Sequence, residues 1–386
     1  MTSRLPNKII DENYQLRELI AHLSPKPIIG IDTEFHSENR YYPKLMLIQI
    51  SDFEGGNWIV DPLKIRVEPL GRALRDSIIV MHGGREDLRI LYRELGFQPA
   101  KYFDVQVAVG MLGYDYPLRY SNLLKEILDT DLHQTSTLSD WSQRPLTEEQ
   151  CEYALDDVRF FPEIYEKLTT MLKGEDRLNW AWKACEEQMQ HILSYRDHST
   201  QWLNWNVSKS LNIVAQRILT QILDWREGEA RDKNKQANYI FSRHFAVDIA
   251  RRAPQNMEEL KQNRIIPQRV LKRYGSALLE CVQKGLASDE TYAISNPQNK
   301  DLAKSIRMWN YVFARQNNIH PELLLERQIV LNISENGLDE LEGWRRDLCH
   351  DELQKYLEGT SVIQQTPTGT RILDLSSAKT IYLLDT

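Results

Sequence analysis

The stretch PIIGIDTEF, residues 27–35, decides the fold of the first half of this chain and poses its central chemical question. The apolar run from Ile28 to Ile31 predicts a buried β-strand, which ends in two carboxylates, Asp32 and Glu34. Side chains alternate along a strand, so these two point to one face and lie about 7 Å apart. Like charges at that separation repel each other unless a cation lies between them. What this strand end does therefore depends on whether other carboxylates join the pair.

The composition of the chain is that of an ordinary soluble protein. Of its 386 residues, 41% are hydrophobic and 27% are charged, and this length is enough for two or three domains. No stretch approaches the roughly 20 apolar residues of a membrane-spanning helix, and the N-terminal residues lack a signal-peptide run. The four cysteines lie far apart and form no CxxC pair. We therefore expect a cytoplasmic protein with reduced thiols and no membrane partner.

Charge is distributed unevenly along the chain. Between Lys209 and Lys284 there are 15 Lys and Arg residues against 8 Asp and Glu residues, a net charge of +7. The whole chain has a net charge of −7, which leaves −14 for the remainder. A basic module joined to an acidic one suggests a polyanion partner for the first and metal or acid chemistry in the second. The alternative is a basic helical surface that is simply solvated.

The hydrophobic pattern predicts an α/β domain in the first half. Residues 27–61 predict three strands, with hairpin chemistry at FEGGN between the second and third. SIIVMHGG predicts another strand, closed by a Gly-Gly turn, and REDLRILYRELG a helix that ends at Gly96. LTEEQCEYALDDV begins a helix with a capping-box pattern, Thr147 followed by Gln150. Strands followed by strand-helix alternation indicate a mixed sheet.

The second half is predicted to be helical, with one break. PQRVLKRYGSALLECVQKG predicts a helix with Pro267 at its first position. Residues 286–301 are polar and irregular, as is typical of a linker, and a second helical block is predicted for residues 302–358. The tail GTRILDLSSAKTIYLLDT alternates in a way that predicts a β-ribbon.

Further acidic residues accompany the pair at the strand end. Asp87 opens the helix after the Gly-Gly turn, where a carboxylate also favours the helix dipole without any catalytic role. Tyr153 and Asp157 are four residues apart and share a helix face, although Asp156 is also nearby. Mg²⁺ prefers oxygen ligands, and two divalent cations roughly 3.5–4 Å apart can activate water for phosphodiester hydrolysis. A tyrosine hydroxyl near such ions could orient that water.

These motifs resemble those of a known family. DTEF, HGGREDL and YALDDV are similar to the three exonuclease motifs of the DEDD superfamily of 3′→5′ exonucleases. The spacing of Tyr153 and Asp157 matches its tyrosine branch, since the histidine branch has His where this chain has Glu152. SDWSQRPLTEEQCEYALDDV, KLMLIQISD and YFDVQVAVGMLGY resemble ribonuclease D sequences. The basic half resembles the helicase-and-RNase-D C-terminal (HRDC) module, and IHPELLLERQIV with GWRRDL resembles a divergent second copy.

The resemblance implies a fold with three parts. We expect an α/β ribonuclease-H-like exonuclease domain with a mixed sheet at residues 1–195. Two all-α helical domains follow, an HRDC-type nucleic-acid-binding domain at residues 205–288 and a divergent HRDC-like domain with the C-terminal tail at residues 298–386.

The resemblance also implies roles for the acidic residues. Asp32, Glu34, Asp87 and Asp157 would be the ligands of two divalent metal ions, Mg²⁺ or Mn²⁺. Asp32 would bridge both ions, Glu34 and Asp157 would complete one site, and Asp87 would serve the other. Tyr153 would position the attacking water.

Six more residues are candidates for substrate binding, and all of them except Gln49 also have a simpler structural explanation. An aromatic side chain after the acidic pair could stack on the terminal base or pack in the core. A histidine at a strand end could contact phosphate or be hydrogen-bonded structure. Basic side chains on the helical module could contact phosphates or pack domains together. The six are Phe35, Gln49, His82, Arg269, Lys272 and Arg273.

Taken together, the motifs predict a metal-dependent 3′→5′ exoribonuclease. The resemblance implies that the partner is RNA with a free 3′ end, chiefly tRNA precursors, and that the products are nucleoside 5′-monophosphates. No protein partner is indicated. One alternative is a DNA repair or proofreading exonuclease, because no motif here reads the 2′-hydroxyl. The other is an RNA-binding scaffold without activity.

Overall fold

The computed structural model describes residues 8–132, 140–194, 210–291, 300–367 and 369–375. Residues 292–299 of the predicted linker and 376–386 of the predicted tail ribbon lie outside these ranges. The strands within them are β1 (Ile9–Ile10), β2 (Ile28–His36), β3 (Lys44–Ser51), β4 (Asn57–Val60), β5 (Ile78–Met81), β6 (Lys101–Asp104), β7 (Ser361–Thr366) and β8 (Gly369–Asp374).

The helices of the sheet domain begin before β2 and continue beyond β6. They are α1 (Asn13–Leu23), α2 (Leu70–Leu74), α3 (Arg85–Leu95), α4 (Val105–Gly110), α5 (Tyr120–Leu128), α6 (Glu148–Arg159), α7 (Phe161–Gly174) and α8 (Leu178–Ser194). The helices that follow are α9 (Ile213–Asp232), α10 (Ala237–Ile240), α11 (Arg243–Arg252), α12 (Met257–Gln262), α13 (Gln268–Ala287), α14 (Lys300–Gln316), α15 (Pro321–Leu324), α16 (Arg327–Asn336) and α17 (Gly343–Leu357), with a 3₁₀ turn at Leu338–Glu340.

In the described residues, the first half of the chain forms a six-stranded mixed sheet in the order β1-β4-β3-β2-β5-β6. β5 is parallel to both of its neighbours, β2 and β6, whereas β3 and β4 form an antiparallel hairpin. The predicted α/β class, the mixed sheet and the hairpin at FEGGN are confirmed. The sequence pattern missed β1, which has only two residues, and β6, whose four residues KYFD begin and end with a charged side chain and contain no longer apolar run.

Local sequence signals set several helix ends as predicted. The Thr147 hydroxyl accepts the backbone N–H of Gln150 at 3.1 Å, and the Gln150 side chain accepts the Thr147 N–H at 3.0 Å. Gly96 ends α3 in the left-handed conformation, with φ of 61°. Helix α13 begins one residue later than predicted, since Pro267 is its N-cap. The predicted tail ribbon is formed by β8 with a partner, β7, that precedes the predicted stretch.

Contacts divide the described residues into two compact units. The sheet unit comprises the described residues of 1–34, 45–193 and 297–386, and the helical unit those of 35–44 and 194–296. The division into three domains that the sequence leads us to expect stays a prediction. In the structure, the last helical block shares a unit with the sheet, and the segment after Glu34 belongs to the helical unit.

Within the sheet unit, Arg177 holds the last helical block. Its guanidinium donates to the carbonyl oxygens of Met111 at 3.0 Å and Asn318 at 2.7 Å. The rings of Trp180 and Trp344 stack nearly parallel, 6.0 Å apart. A cation that donates to several carbonyls, together with packed aromatic rings, makes a specific internal interface.

Two general expectations can be compared with the structure. The four cysteines are free thiols, and three of them, Cys185, Cys281 and Cys349, are buried. None of the helices in the described ranges combines the length and apolarity that a bilayer span requires.

The helical unit is built around close packing of α9 against α13. Gly285 on α13 lies so close to α9 that an added Cβ would be 2.5 Å from the Cα of Ile218. Gly228 on α9 offers a contrast, because an added Cβ there would meet nothing within 4 Å.

These two glycines should respond oppositely to substitution by alanine. We expect Gly285→Ala to lower the free energy of unfolding by about 1–3 kcal/mol, because two helix backbones must separate. Gly228→Ala should raise the free energy of unfolding by about 0.5–1 kcal/mol, because alanine restricts the unfolded chain and favours helix. Urea unfolding of both full-length variants, followed by circular dichroism, measures the difference, and a Gly285→Ala protein as stable as wild type would contradict the packing.

Candidate active site

The sheet brings the first and second acidic motifs to one edge. β2 and β5 are parallel neighbours, with Gly30 opposite Val80. The carboxyl ends of parallel strands meet at the same edge, so Asp32 and the turn that follows β5 lie together. That turn leads directly into α3, whose first turn carries Asp87. The hydroxyl of Thr33 in β2 donates a hydrogen bond to Asp87 and ties the two elements together.

The third motif reaches the same edge through a close contact at Gly30. A Cβ at this position would lie 2.6 Å from the Phe161 ring, so only glycine lets α7 pack so near to β2. Phe161 is completely buried at the start of α7 and lies four residues after Asp157 in α6. Asp32 is two residues after Gly30, and the contact therefore places the two carboxylates side by side.

Three carboxylates form the centre of the site. Asp32, Glu34 and Asp157 each offer an oxygen, and these oxygens lie within 4.8 Å of one another. Asp87 is outside this triad, but it accepts a hydrogen bond from Thr33, the residue between Asp32 and Glu34. Its charge raises the pKa of both of these acids. The structure thus brings together the four acids that the sequence singled out.

Burial raises the pKa of every acid in the cluster, and repulsion by other members of the cluster adds to this for Asp32 and Glu34. Burial, followed by the charges of its three neighbours, raises the pKa of Asp32 well above its usual range. The pKa of Glu34 rises to about 8, that of Asp157 to about 7 and that of Asp87 to about 6, with burial as the main cause each time. Without a cation, neutral carboxyl groups are favoured here. Oxygen donors that repel one another fit a hard divalent ion such as Mg²⁺ or Mn²⁺.

The geometry separates Asp157 from its neighbour Asp156. Asp157 belongs to the triad. Asp156 instead forms an ion pair with Arg159 on the same helix, with 2.9 Å between Oδ1 and Nε. Tyr153, one turn before Asp157, is half-buried, and burial followed by the charge of Asp157 raises the pKa of its phenol. Its ring lies 5.8 Å from that of Trp141.

Arg144 organises the chain ahead of the third motif. Its Nε and Nη2 bind the two oxygens of the buried Asp61 at 2.6 and 2.9 Å. The same guanidinium donates to the backbone carbonyls of Trp141 at 2.8 Å and Met46 at 3.0 Å. A bidentate pair with further carbonyl contacts is a strong and directional arrangement. It joins the segment before α6 to the sheet and so helps to place Tyr153.

Asp104 is a supporting residue that the sequence analysis missed. It is completely buried, and its Oδ1 accepts the N–H groups of Gly83 at 2.8 Å and Gln106 at 2.9 Å. Its Oδ2 accepts the Tyr102 hydroxyl at 2.8 Å. The carboxylate thereby fixes the turn at Gly83 that leads to Asp87. An Asp between a short apolar run and a helix is the available sequence signal, since that position is typical of an N-cap.

The structure contradicts one predicted substrate contact, Gln49, and gives a second, His82, a structural partner. Gln49 is completely buried, and its amide has no hydrogen-bond partner among the described residues, so it has no surface with which to contact RNA. The ring of His82 is hydrogen-bonded to the Leu118 carbonyl at 2.8 Å and packs near Tyr120. Burial lowers the pKa of His82, which keeps the ring neutral. Gln49 therefore belongs to the domain interior, whereas a substrate role for His82 stays a prediction.

The side chains of the other four predicted contacts are half-buried or exposed. Phe35 is half-buried and belongs to the helical unit. Arg269, Lys272 and Arg273 are exposed on α13. Their roles in substrate binding stay predictions.

Comparison with known proteins identifies an exonuclease domain and an HRDC domain in this chain, in agreement with the resemblance noted from the sequence. Residues 7–173 match the 3′-5′ exonuclease family, and residues 215–282 match the HRDC domain. The chain is 30% identical to the ribonuclease D of Pseudomonas paraeruginosa over 366 residues, which cover 90% of this chain and 97% of that one. It is 28% identical to the ribonuclease D of Nitrobacter hamburgensis, with coverage of 88% and 92%.

Solved structures confirm the fold. The crystal structure of Escherichia coli RNase D, described as an exoribonuclease involved in structured RNA processing, superposes with a TM-score of 0.80 at 24% identity. The match covers 91% of this chain and 98% of that one.

The raised pKa values predict how the metal-free protein responds to pH. Each folded-state pKa lies above the ordinary value of 3.8 for Asp or 4.5 for Glu that the unfolded chain keeps. The stability is therefore complete below about pH 4 and is lost as pH rises through the window from about 4 to about 8, the folded-state pKa of Glu34. We expect the free energy of unfolding in EDTA to fall by about 2 kcal/mol or more across this window. Thermal unfolding between about pH 4 and about pH 8.5 measures the change.

A matched pair of variants tests the origin of this effect. Asp32→Asn should be more stable than wild type in EDTA at the upper end of the window, because one charge leaves the cluster. Asp76→Asn, which removes an exposed carboxylate, should follow the wild-type curve. Added Mg²⁺ should stabilise the wild-type protein more at high pH than at low pH. A metal-free stability that does not change with pH would contradict the electrostatic description of the site.

Proposed function

This chain belongs to the ribonuclease D family, and from that membership we propose how it acts. It is a 3′→5′ exoribonuclease that hydrolyses the last phosphodiester of RNA and releases nucleoside 5′-monophosphates. The observation that carries this proposal is the triad of Asp32, Glu34 and Asp157, with Asp87 facing it and Tyr153 one turn away. These residues have the types and the order that the family motifs require. They belong to three separate elements, β2, α3 and α6, which meet at one edge of the sheet.

We assign two divalent metal ions, Mg²⁺ or Mn²⁺, to the four carboxylates. When bound, such ions activate a water molecule and stabilise the leaving oxygen of the phosphodiester. The triad would supply oxygen ligands for one ion, and Asp87, outside the triad, would help to hold the other. The carboxylates must release protons to bind cations, so metal affinity should increase with pH across the range of their raised pKa values.

Tyr153 acts by orienting the attacking water. Its raised pKa keeps the phenol protonated at neutral pH, so the hydroxyl forms hydrogen bonds and does not remove the proton of the water. A hydroxyl fixed one helical turn from Asp157 can hold a water in line with the scissile bond. Packing of its ring near Trp141 limits the rotation of the side chain.

The proposed substrates are structured RNAs with an unpaired 3′ end, above all tRNA precursors. The net charge of +7 between Lys209 and Lys284 provides electrostatic attraction for the RNA backbone. Arg269, Lys272 and Arg273 are exposed on one helix of this region and are proposed phosphate contacts. RNA duplexes are recognised mainly through shape and backbone, which suits a helical module without base-reading motifs.

A gel time course tests the activity and its polarity. The substrate is a 5′-labelled RNA hairpin with an unpaired 3′ tail, incubated with the full-length protein in Mg²⁺ or in EDTA. We expect a ladder that shortens from the 3′ end only when metal is present. Asp157→Asn should slow trimming by roughly a hundredfold or more, since loss of even an outer-shell partner of a metal ligand costs about 10–100-fold.

Asp156→Asn is the matched control for this experiment. It alters the neighbouring carboxylate, which pairs with Arg159 outside the triad, and should leave the rate nearly unchanged. A matched DNA strand tests the sugar preference. Trimming of DNA but not RNA would overturn the substrate assignment, and an intact substrate under all conditions would favour a binding scaffold.

Tyr153→Phe should separate chemistry from metal binding. We expect single-turnover hydrolysis to slow by about tenfold to a hundredfold, because the water loses its orienting partner. The Mg²⁺ concentration for half-maximal rate should stay at the wild-type value. Tyr92→Phe, which removes a hydroxyl from an exposed tyrosine on α3, serves as the control. An unchanged rate for Tyr153→Phe would exclude the proposed role of the hydroxyl.

A further inference from the structure

The segment that connects β2 to β3 belongs to the helical unit. This connecting segment, Phe35–Lys44, follows directly after the carboxylate Glu34 and joins two strands of the sheet. Connections between strands usually run over the surface of their own domain and are more mobile than the strands. Here the segment packs with the described residues of 194–296, which we call the helical module.

Tyr41 is the main anchor of the connecting segment. Its ring packs against the hydrophobic core of the helical module. Its hydroxyl forms hydrogen bonds with Glu227 and Arg231, which are four residues apart and therefore neighbours on one face of α9. The guanidinium carbon of Arg231 also lies 5.8 Å from the centre of the ring. One side chain thus combines apolar, hydrogen-bonding and cation–π contacts.

Three more hydrogen bonds hold the segment along its length. They join backbone and side-chain groups at three different positions to residues just after α9 and in α10. The pairs are the Tyr42 N–H with Asn234 Oδ1 at 3.0 Å, Gln236 Nε2 with the Ser37 carbonyl at 3.3 Å, and the Tyr239 hydroxyl with Asn39 Oδ1.

The anchoring begins very close in sequence to the catalytic strand. Ser37 is three residues after Glu34, and three residues of extended chain span only about 10 Å. Phe35 and His36 still belong to β2, so the chain between Glu34 and the first anchor contains no flexible loop. A displacement of the segment is therefore passed along the strand to Phe35 and Glu34. The alternative is that these contacts only stabilise the helical module.

We propose that Tyr41 is a positioning residue for the exonuclease reaction, through which the helical module sets the placement of Phe35 and Glu34. The inference rests on the proposed function, since it assigns Glu34 to the metal site. It gives the helical module a second role besides RNA binding. The module fixes the strand end that carries the proposed metal ligand Glu34. Hydrolysis therefore depends on the module even when the RNA is too short to bind to it.

The test compares variants on both sides of the anchor. Tyr41→Ala removes the side chain from the segment, and Arg231→Ala removes its partner from the module. With a trinucleotide RNA, we expect each to lower the single-turnover rate by about tenfold, because small misplacements of reacting groups are costly. Each should also raise the Mg²⁺ concentration needed for half-maximal rate. Tyr41→Phe keeps the ring and should stay within about threefold of wild type.

Two controls separate this effect from general loss of a tyrosine or an arginine. Tyr14→Ala removes a tyrosine that is 51% exposed on α1, and Arg264→Ala removes an exposed arginine from the helical module. Both should hydrolyse the trinucleotide at the wild-type rate with the wild-type Mg²⁺ dependence. Should Tyr41→Ala fail to fold, Arg231→Ala and the less disruptive Asn234→Ala provide the same comparison.

The outcomes distinguish this inference from the proposed function. If wild type trims RNA but folded Tyr41→Ala and Arg231→Ala match it in trinucleotide rate and Mg²⁺ dependence, the inference is overturned. A loss of affinity for long RNA alone, with unchanged trinucleotide hydrolysis, would also overturn it, because the anchor would then serve only RNA binding or stability. If wild type itself does not hydrolyse RNA, it is the proposed function that falls.

Discussion

The mutual repulsion of four carboxylates is the constraint on which the active site depends. Asp32, Glu34, Asp87 and Asp157 are held together and largely removed from water, which raises the pKa of each. Such a cluster is unfavourable unless protons or cations neutralise it. The surrounding packing must therefore supply the stability that the site lacks. The functional residues thus sit where charge repulsion opposes folding, and the rigid elements around them keep the cluster together.

Rigid elements supply that support at three places. The parallel pairing of β2 with β5 aligns the first two motifs, and the bare backbone at Gly30 lets Phe161 bring α6 and α7 close. Asp104 fixes the turn before Asp87 with three hydrogen bonds. Because these supports come from buried atoms, the ligands are positioned before any metal or RNA binds.

The division into compact units changes how the modules of this chain are understood. The last helical block is built into the sheet unit through Arg177 and the Trp180–Trp344 stack. The segment after Glu34 instead belongs to the helical unit. The domains expected from the sequence therefore differ from the units defined by contacts. One of the differences begins at Phe35, directly after the proposed metal ligand Glu34. The proposed role of Tyr41 follows from this arrangement, because the anchored segment continues directly from the strand that carries Glu34.

Sequence alone determined the fold class, the hairpin, the capping box at Thr147 and the set of acidic residues, because each depends on local periodicity or on a motif whose spacing is short. It did not reveal β1, which has two residues, or β6, which lacks an apolar run, or the hydrogen bond between Asp104 and the turn at Gly83, 21 residues earlier. It also assigned Gln49 to substrate, although that side chain is completely buried. Only the tertiary structure decided which carboxylates meet and that the helical unit holds the segment after Glu34. These outcomes depend on contacts between residues up to two hundred positions apart, and no local pattern in a single sequence encodes such distances.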